Sequence, residues 1–296
     1  MMDLKKYIAS ETNCKLYLAE AKHLSTFKGG GKAWVFQPKN TEKLIEIVRV
    51  LSAEKIDFGM LGKGSNTLIS DGICDSVLIS TAMLCDIEIE DDCVRCECGA
   101  SLASIIKEGR KHSLGGLEFL SGVPCSIGGA VRMNAGAFSA QTADYIYKMR
   151  ILNIDCENNN EISINEVCAD DLRFGYRKGT DGILLDVVLK LREKSEDESI
   201  KEAKRYISYR RKRQPSLPSL GSVFKNGKIP SGKLIDECGL KGRKIGGAKV
   251  SETHANFIVN EGGASASDYL ALAAECKRVV FEKTGETLKE EFVFVK

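Results

Sequence analysis

The chain has 296 residues, 43% of them hydrophobic and 28% charged, with a formal net charge of +2. That balance is ordinary for a globular protein and gives no reason to expect nucleic acid or a membrane surface as partner. No stretch approaches the roughly 18 apolar residues of a membrane span, and the charged opening run MMDLKKYIASETNCKLYLAE does not read as a signal peptide.

In chain order, residues 3–21 read as a helix with Leu4, Ile8, Leu16 and Leu18 as its apolar positions. KAWVFQP reads as a strand ended by Pro38, and TEKLIEIVRVLSAEK as a helix capped by Thr41 with Leu44, Ile45, Val48 and Leu51 at helical spacing. DFGML is a short strand, GKGSNTLISDG a loop and SVLIS a strand, which makes the opening a β-α-β arrangement. Strands follow near 86–90 and 93–98, then a helix after Ser101 and a glycine-dense run, GGLEFLSGVPCSIGGAVRMNAGAFSA. Strands near 146–153 and 183–191 come next, REKSEDES is a charged junction, and IKEAKRYISYRRKRQP is a basic helix. The remainder alternates: a helix at 231–237, strands near 244–250 and 256–260, a helix at 265–284 and a terminal strand FVFV. The resulting division is 1–82, 83–200 and 201–296.

The eleven cysteines are odd in number and scattered, which argues for reduced thiols in a cytoplasmic setting rather than a disulfide framework. In CVRCEC, period-2 spacing puts Cys96 and Cys98 on one face of a strand, and no second Cys/His pair follows at finger spacing, so no metal site is expected.

Three stretches can carry chemistry. LGKGSNTLISDG follows a strand but is neither a Walker loop nor a Rossmann fingerprint; it is either a backbone cradle for an anionic oxygen or a plain Gly-Asn turn. In the second glycine run, Gly128, Gly129 and Gly136 with Ala130, Ala135 and Ala137 leave little side-chain bulk, suited to a large flat ligand or to close helix–sheet packing. A helix starting near Ser126 would aim its N-terminus at a phosphate. Two such loops in adjacent α/β units suggest a shared diphosphate cofactor. In DLRFGYRKGT, Arg177 stands beside Phe174 and Tyr176, either pre-organised for a carboxylate or simply stacked at the surface. Ser222, in SLGSVFKN, lacks the elbow context of a hydrolase nucleophile, and the chain has only three histidines to serve as a base.

Taken together these stretches resemble the UDP-N-acetylenolpyruvoylglucosamine reductase (UDP-N-acetylmuramate dehydrogenase, MurB) family. The resemblance is carried in order by STFKGGGKA, LGKGSNTLISDG, GLEFLSGVPCSIGGAVRMNAGAF, LRFGYR, QPSLPSLGSVFKN, GKLIDECGLKGRKIGGAKVSETHANFIVN and GETLKEEFVF. It implies an α+β flavoenzyme with the FAD-binding fold of the vanillyl-alcohol-oxidase (PCMH) type: two α/β subdomains for FAD and a C-terminal α/β domain for the UDP-sugar. The continuous run from Phe174 to Arg210 points to the shorter family subtype, without the tyrosine loop.

The resemblance further implies a monomeric cytoplasmic enzyme of peptidoglycan precursor synthesis that uses NADPH to reduce UDP-N-acetylglucosamine enolpyruvate. Hydride passes from NADPH to the flavin and then to C3 of the enol ether. Ser222 protonates C2, while Arg177 and Glu291 stabilise the enolate; Glu291 is preferred to Glu290 by its spacing from Gly285 and Leu288. Gly62, Gly64, Ser65, Asn66, Gly122, Ser126, Gly128, Gly129, Ala130, Asn134 and Gly136 fall in the flavin-binding runs, and Tyr176, Arg210, Lys225 and Asn226 at substrate-binding positions. Cys125, Lys63 and Gly227 depart from the family pattern without touching the three catalytic positions. The alternatives are another FAD-dependent oxidoreductase of the same fold, or a non-catalytic flavin or UDP-sugar binder.

Overall fold

The computed structural model describes residues 2–155 and 160–296, and side chains from Lys5 onward. The chain divides into two compact units: Met1–Tyr17, Val35–Lys63 and Leu78–Tyr209 in one, and Leu18–Trp34, Gly64–Val77 and Arg210–Lys296 in the other.

The first helix is Met2–Glu11, and a strand, Lys15–Glu20, occupies the second half of the stretch expected to be helical. Asn13 adopts the left-handed conformation (φ 48°), a common way for a helix to end, and Leu16 and Leu18 belong to the strand. Leu4's side chain lies outside the described residues. The helix Thr41–Ala53 buries Leu44, Ile47, Val48 and Leu51 on one face; its cap is Asn40, not Thr41, with the Asn40 side chain accepting from the Lys43 N–H at 3.0 Å. A four-stranded sheet runs in the order Lys15–Glu20, Lys32–Gln37, Ile73–Ser80, Phe58–Leu61.

The larger sheet of the first unit is antiparallel, in the order Glu161–Cys168, Ile146–Asp155, Ile183–Lys190, Cys93–Glu97, Ile87–Glu90. Its central strand, ILLDVVLK, is buried along most of its length. Asp186 within it is 3% exposed and pairs with Arg95 at 3.1 Å and with Arg150, as a buried carboxylate must to offset its desolvation. The edge strand Glu161–Cys168 is not expected from sequence: Ile162 and Ile164 alternate with polar residues, but Glu166 breaks the pattern and the strand is mostly exposed. The helices Leu102–Lys111 and Ile127–Arg132 pack on this sheet, each capped by a serine, Ser101 and Ser126. The basic helix spans Glu196–Arg213, so its acidic first turn takes up the second half of the charged stretch expected to be a junction.

In the second unit, Ser219–Ser222, Phe257–Asn260, Ala248–Val250 and Lys244–Ile245 form an antiparallel sheet in that order. The strand expected near 244–250 is thus a tight hairpin. The helix Ala266–Thr284 opens on a capping box between Ser265 and Asp268 and closes on left-handed Gly285 (φ 74°). Its Tyr269 is fully buried, edge-on to Phe27 at 4.9 Å and to Phe292 at 5.0 Å. The stretch 62–72, expected to be all loop, contains the strand Thr67–Ile69, which pairs in parallel with the terminal strand Val293–Val295.

Candidate active site

In the second unit, Ser222 ends the strand Ser219–Ser222. The register against Phe257–Asn260 shifts between Ser219↔Val259 and Ser222↔Phe257. A bulge of this kind re-aims the side chains beside it. Gly221, just before Ser222, has φ 77°, and a Cβ there would meet nothing within 4 Å, so its backbone conformation, not crowding, calls for glycine.

Beyond Ser222 the chain is clamped on both sides. Asn256, 2% exposed, accepts from the Phe224 N–H at 3.0 Å and donates to the Phe224 carbonyl at 2.8 Å. The Val223 N–H donates to the Asn256 carbonyl at 2.9 Å. On the opposite side, the Glu291 N–H donates to the Val223 carbonyl at 2.8 Å, Phe224 bridges Glu290, and the Lys225 N–H donates to the Lys289 carbonyl at 2.8 Å. The two carboxylates of KEEF are therefore distinguishable. Glu290 is exposed and ion-paired to Lys277 at 2.8 Å, while Glu291 is half-buried.

Asn66 also reaches this segment. Its side chain donates to the Glu291 carbonyl at 3.0 Å, and its own carbonyl accepts from the Val293 N–H at 2.8 Å. Asn226 accepts from the Ser231 N–H at 3.0 Å, tying it to the helix Ser231–Glu237, and Ser231 Oγ donates to the Lys225 carbonyl at 2.6 Å. Arg210 starts the basic last turn of Glu196–Arg213, where cations also complement the helix dipole.

In the first unit, the two glycine-bearing runs meet where Gly62 approaches Ser126. A Cβ on Gly62 would lie 2.4 Å from Ser126 Oγ, which itself caps its helix by accepting from the Gly129 N–H at 3.3 Å. The neighbouring glycines of that helix face different ways. A Cβ on Gly128 would lie 2.7 Å from the Cys98 carbonyl oxygen, whereas one on Gly129 would meet only Ser126 Oγ, at 3.7 Å. Gly128 thus serves close packing against the Cys98 backbone, and Gly129 is exposed with open space where a side chain would stand. Ala130 is buried on the packed side and Gly122 holds a left-handed turn (φ 86°). In the other unit, Gly64 (φ 63°) is needed on both counts, since a Cβ there would lie 1.8 Å from the Leu24 carbonyl.

Arg177 stands in a tight reverse turn, with the Gly175 N–H donating to the Lys178 carbonyl at 2.8 Å and the Lys178 N–H to the Gly175 carbonyl at 3.1 Å. Its φ is 55°, and its guanidinium lies 5.3 Å from the centre of the Tyr176 ring. Tyr176 is itself exposed. Sequence reasoning misses Asn256, which holds both backbone groups of Phe224, and Gln141, whose Oε1 accepts from the Asn134 side chain at 2.9 Å. Asn256 lies within the HANFIVN run, but only its hydrogen bonds reveal what it holds.

Cys96 and Cys98 are buried, and burial above all pushes both thiols up to about 12, so neither ionises near neutral pH. Among the described residues no group of three or more His, Cys, Asp or Glu is placed to hold a metal ion. Among them, too, no helix is long and apolar enough to cross a membrane.

Comparison with known proteins identifies two family models on the chain. An FAD binding domain matches residues 33–157, and the C-terminal domain of UDP-N-acetylenolpyruvoylglucosamine reductase matches residues 213–295. The UDP-N-acetylenolpyruvoylglucosamine reductase of Caldicellulosiruptor bescii is 38% identical over 285 residues, covering 93% of this chain and 88% of that protein. The crystal structure of the Thermus caldophilus UDP-N-acetylenolpyruvylglucosamine reductase superposes with a TM-score of 0.79 at 31% identity, over 96% of this chain and 100% of that one. A cholesterol oxidase from B. sterolicum shares the fold over 61% of this chain and 38% of its own, with a TM-score of 0.50 at 16% identity. These likenesses place the chain in the FAD-binding fold of the vanillyl-alcohol-oxidase type.

Proposed function

Because the chain belongs to the UDP-N-acetylenolpyruvoylglucosamine reductase family, we propose that it reduces UDP-N-acetylglucosamine enolpyruvate to UDP-N-acetylmuramate at the expense of NADPH, as a monomeric cytoplasmic enzyme. The observation that carries this reading is the backbone ladder through Val223, which places the segments of Ser222 and Glu291 side by side in one unit.

FAD fits the residues present: Gly129 carries no side chain on its exposed face, and Gly62 lets its run approach Ser126 closely, which brings the two glycine-bearing runs together. The same glycine and serine runs, from Gly62 to Asn66 and from Gly122 to Gly136, would hold it. When bound there, FAD would supply the hydride chemistry: hydride taken from NADPH and delivered to C3 of the enol ether.

The chain's own residues manage the charge and the proton. Hydride addition at C3 leaves an electron pair at C2, delocalised into the neighbouring carboxylate. The Arg177 guanidinium offsets that charge, and a fixed cation in a site shielded from water is worth far more than one in solution. The Glu291 carboxyl shares the task through a hydrogen bond. Ser222 Oγ gives its proton to C2, which completes the addition of two hydrogens across the double bond, and solvent returns a proton to the serine. Tyr176, Arg210, Lys225 and Asn226 bind the UDP-sugar. The division 1–82, 83–200 and 201–296 assigns the first two segments to FAD and the third to the nucleotide sugar.

The test is NADPH oxidation by purified, flavin-loaded protein with and without UDP-N-acetylglucosamine enolpyruvate. Oxidation that requires the enol ether and yields UDP-N-acetylmuramate supports the reading; oxidation indifferent to it assigns the chain to another flavin reaction.

A further inference from the structure

We propose that Asn134 is a positioning residue for Arg177: its side-chain amide anchors the reverse turn that presents the guanidinium. This rests on the reading of Arg177 as the residue that offsets the developing charge.

The turn needs an anchor. Arg177 occupies the third position of a four-residue turn from Gly175 to Lys178 with φ 55°, a conformation that glycine and asparagine adopt readily and an arginine does not. A bulky residue persists in such a conformation only when its surroundings over-determine it.

Asn134 supplies the surroundings on one side. It is 3% exposed, and its Nδ2 donates to the Gly175 carbonyl at 3.1 Å and to Gln141 Oε1 at 2.9 Å. Its Oδ1 accepts from the Ala143 N–H at 3.1 Å. With a backbone donor on one end and a backbone acceptor on the other, the amide has a single orientation that satisfies both. The Gly175 carbonyl then accepts twice, from Lys178 and from Asn134, which uses both of its lone pairs. Gln141 is in turn oriented by Asp144, to which it donates from Nε2 at 3.1 Å and from its backbone N–H at 3.0 Å.

The other end of the turn hangs on the same element. The Gly179 N–H donates to the Arg132 carbonyl at 3.1 Å, and a Cβ on Gly179 would lie 1.8 Å from the Val131 carbonyl oxygen. The Arg132 guanidinium also donates to the Thr180 carbonyl and to Asp181 at 3.2 Å. The turn of Arg177 is therefore suspended at both ends from the helix Ile127–Arg132 and the residues that leave it. Asn134 itself sits at φ 40°, a left-handed conformation that asparagine and aspartate tolerate. A residue in a cofactor-binding run is thus turned, by its side chain, toward the arginine of the substrate step.

The test is a double-mutant cycle on single-turnover reduction of UDP-N-acetylglucosamine enolpyruvate, with rates taken on the flavin-loaded fraction. Asn134→Asp keeps the left-handed conformation and the acceptor to Ala143 but removes both donors. It should slow the step by about 10²-fold, the scale of a misplacement of about 1 Å in a catalytic group. In the Arg177→Ala background the same substitution should cost less than about 3-fold, because residues that act through one another are not additive. An equal cost in both backgrounds overturns the inference and makes Asn134 a determinant of folding or flavin binding. Arg177→Ala without effect removes the underlying reading of Arg177 instead.

A second readout needs no turnover. Amide exchange at Lys178, whose N–H donates to Gly175, should rise at least about tenfold in Asn134→Asp protein, as expected when a local opening becomes easier, with the strand Ile183–Lys190 unchanged. Unaltered exchange at Lys178 contradicts the anchor. Should Asn134→Asp not fold, Gln141→Ala carries the same cycle and the same exchange measurement with a smaller expected cost of about tenfold.

Discussion

The N–H of Glu291 donates to the carbonyl of Val223 at 2.8 Å, tying the peptide of the proposed carboxylate to the residue that follows Ser222. Two groups far apart in sequence thereby share one ladder, and anything that shifts that ladder shifts both. Asn256 grips the same ladder from its other side through Phe224.

Asn256→Leu should leave the Phe224 N–H and carbonyl buried without partners. Each unsatisfied group costs about 1–3 kcal/mol, so denaturant unfolding should show a loss on the order of 2–5 kcal/mol. Asn256→Asp, which keeps the acceptor for Phe224 N–H, should lose less. A leucine variant as stable as the wild type would show that the clamp contributes nothing.

Gly128 and Gly129 are adjacent in sequence and should respond oppositely to alanine. Gly129→Ala adds a methyl group to open space and removes glycine's unfolded-state entropy, so cofactor-stripped protein should gain roughly 0.5–1 kcal/mol. Gly128→Ala drives a Cβ to 2.7 Å from the Cys98 carbonyl and should lower stability. Gly129→Leu should fold yet lose flavin absorbance, because the side chain fills the face proposed for FAD. Thermal unfolding of stripped protein and flavin content after reconstitution check the three together; full flavin content in Gly129→Leu would place the cofactor elsewhere.

Glu118 is 1% exposed. Burial pushes its carboxyl up, but donation from Ser199 at 2.7 Å, from the Gly116 N–H at 2.7 Å and from Lys194 at 3.1 Å outweighs burial and holds it below its ordinary value. In the window between the folded value and the unfolded value of about 4.3, the unfolded chain binds more protons. Its stabilising contribution is therefore full above the unfolded value and is lost as the pH falls through the folded one. Denaturant midpoints of wild type and Glu118→Gln should differ near neutral pH and converge in acid; a gap that stays constant with pH would mean the carboxylate's charge plays no part.

Legibility in the sequence follows from how much of each feature is local. The helix Thr41–Ala53 is readable because Leu44, Val48 and Leu51 repeat at helical spacing, and only its cap moves by one residue, to Asn40. The first strand escapes notice because Leu16 and Leu18 continue an apolar count that also fits a helix, although Asn13 at φ 48° marks the break. Glu161–Cys168 offers only a short alternation, Ile162 and Ile164, before Glu166 breaks it, because it is an edge strand held by its neighbour's backbone rather than by a buried face. In the site, the motifs point to Ser222, Arg177 and Glu291 by resemblance, whereas the partners that hold their segments are invisible. Asn134 meets Gly175 across 41 positions and Asn256 meets Phe224 across 32, and an asparagine's hydrogen-bond partner is decided by tertiary placement that no periodicity records.

The central claim is that Ser222 protonates C2 and does not merely shape the site. Stopped-flow measurement of the two half-reactions of Ser222→Ala separates these directly. Flavin reduction by NADPH should stay near the wild-type rate, while oxidation of the reduced enzyme by UDP-N-acetylglucosamine enolpyruvate should fall by roughly 10²–10⁴-fold, the range for loss of a positioned proton donor. An equal loss in both half-reactions, or none in the second, would contradict the assignment.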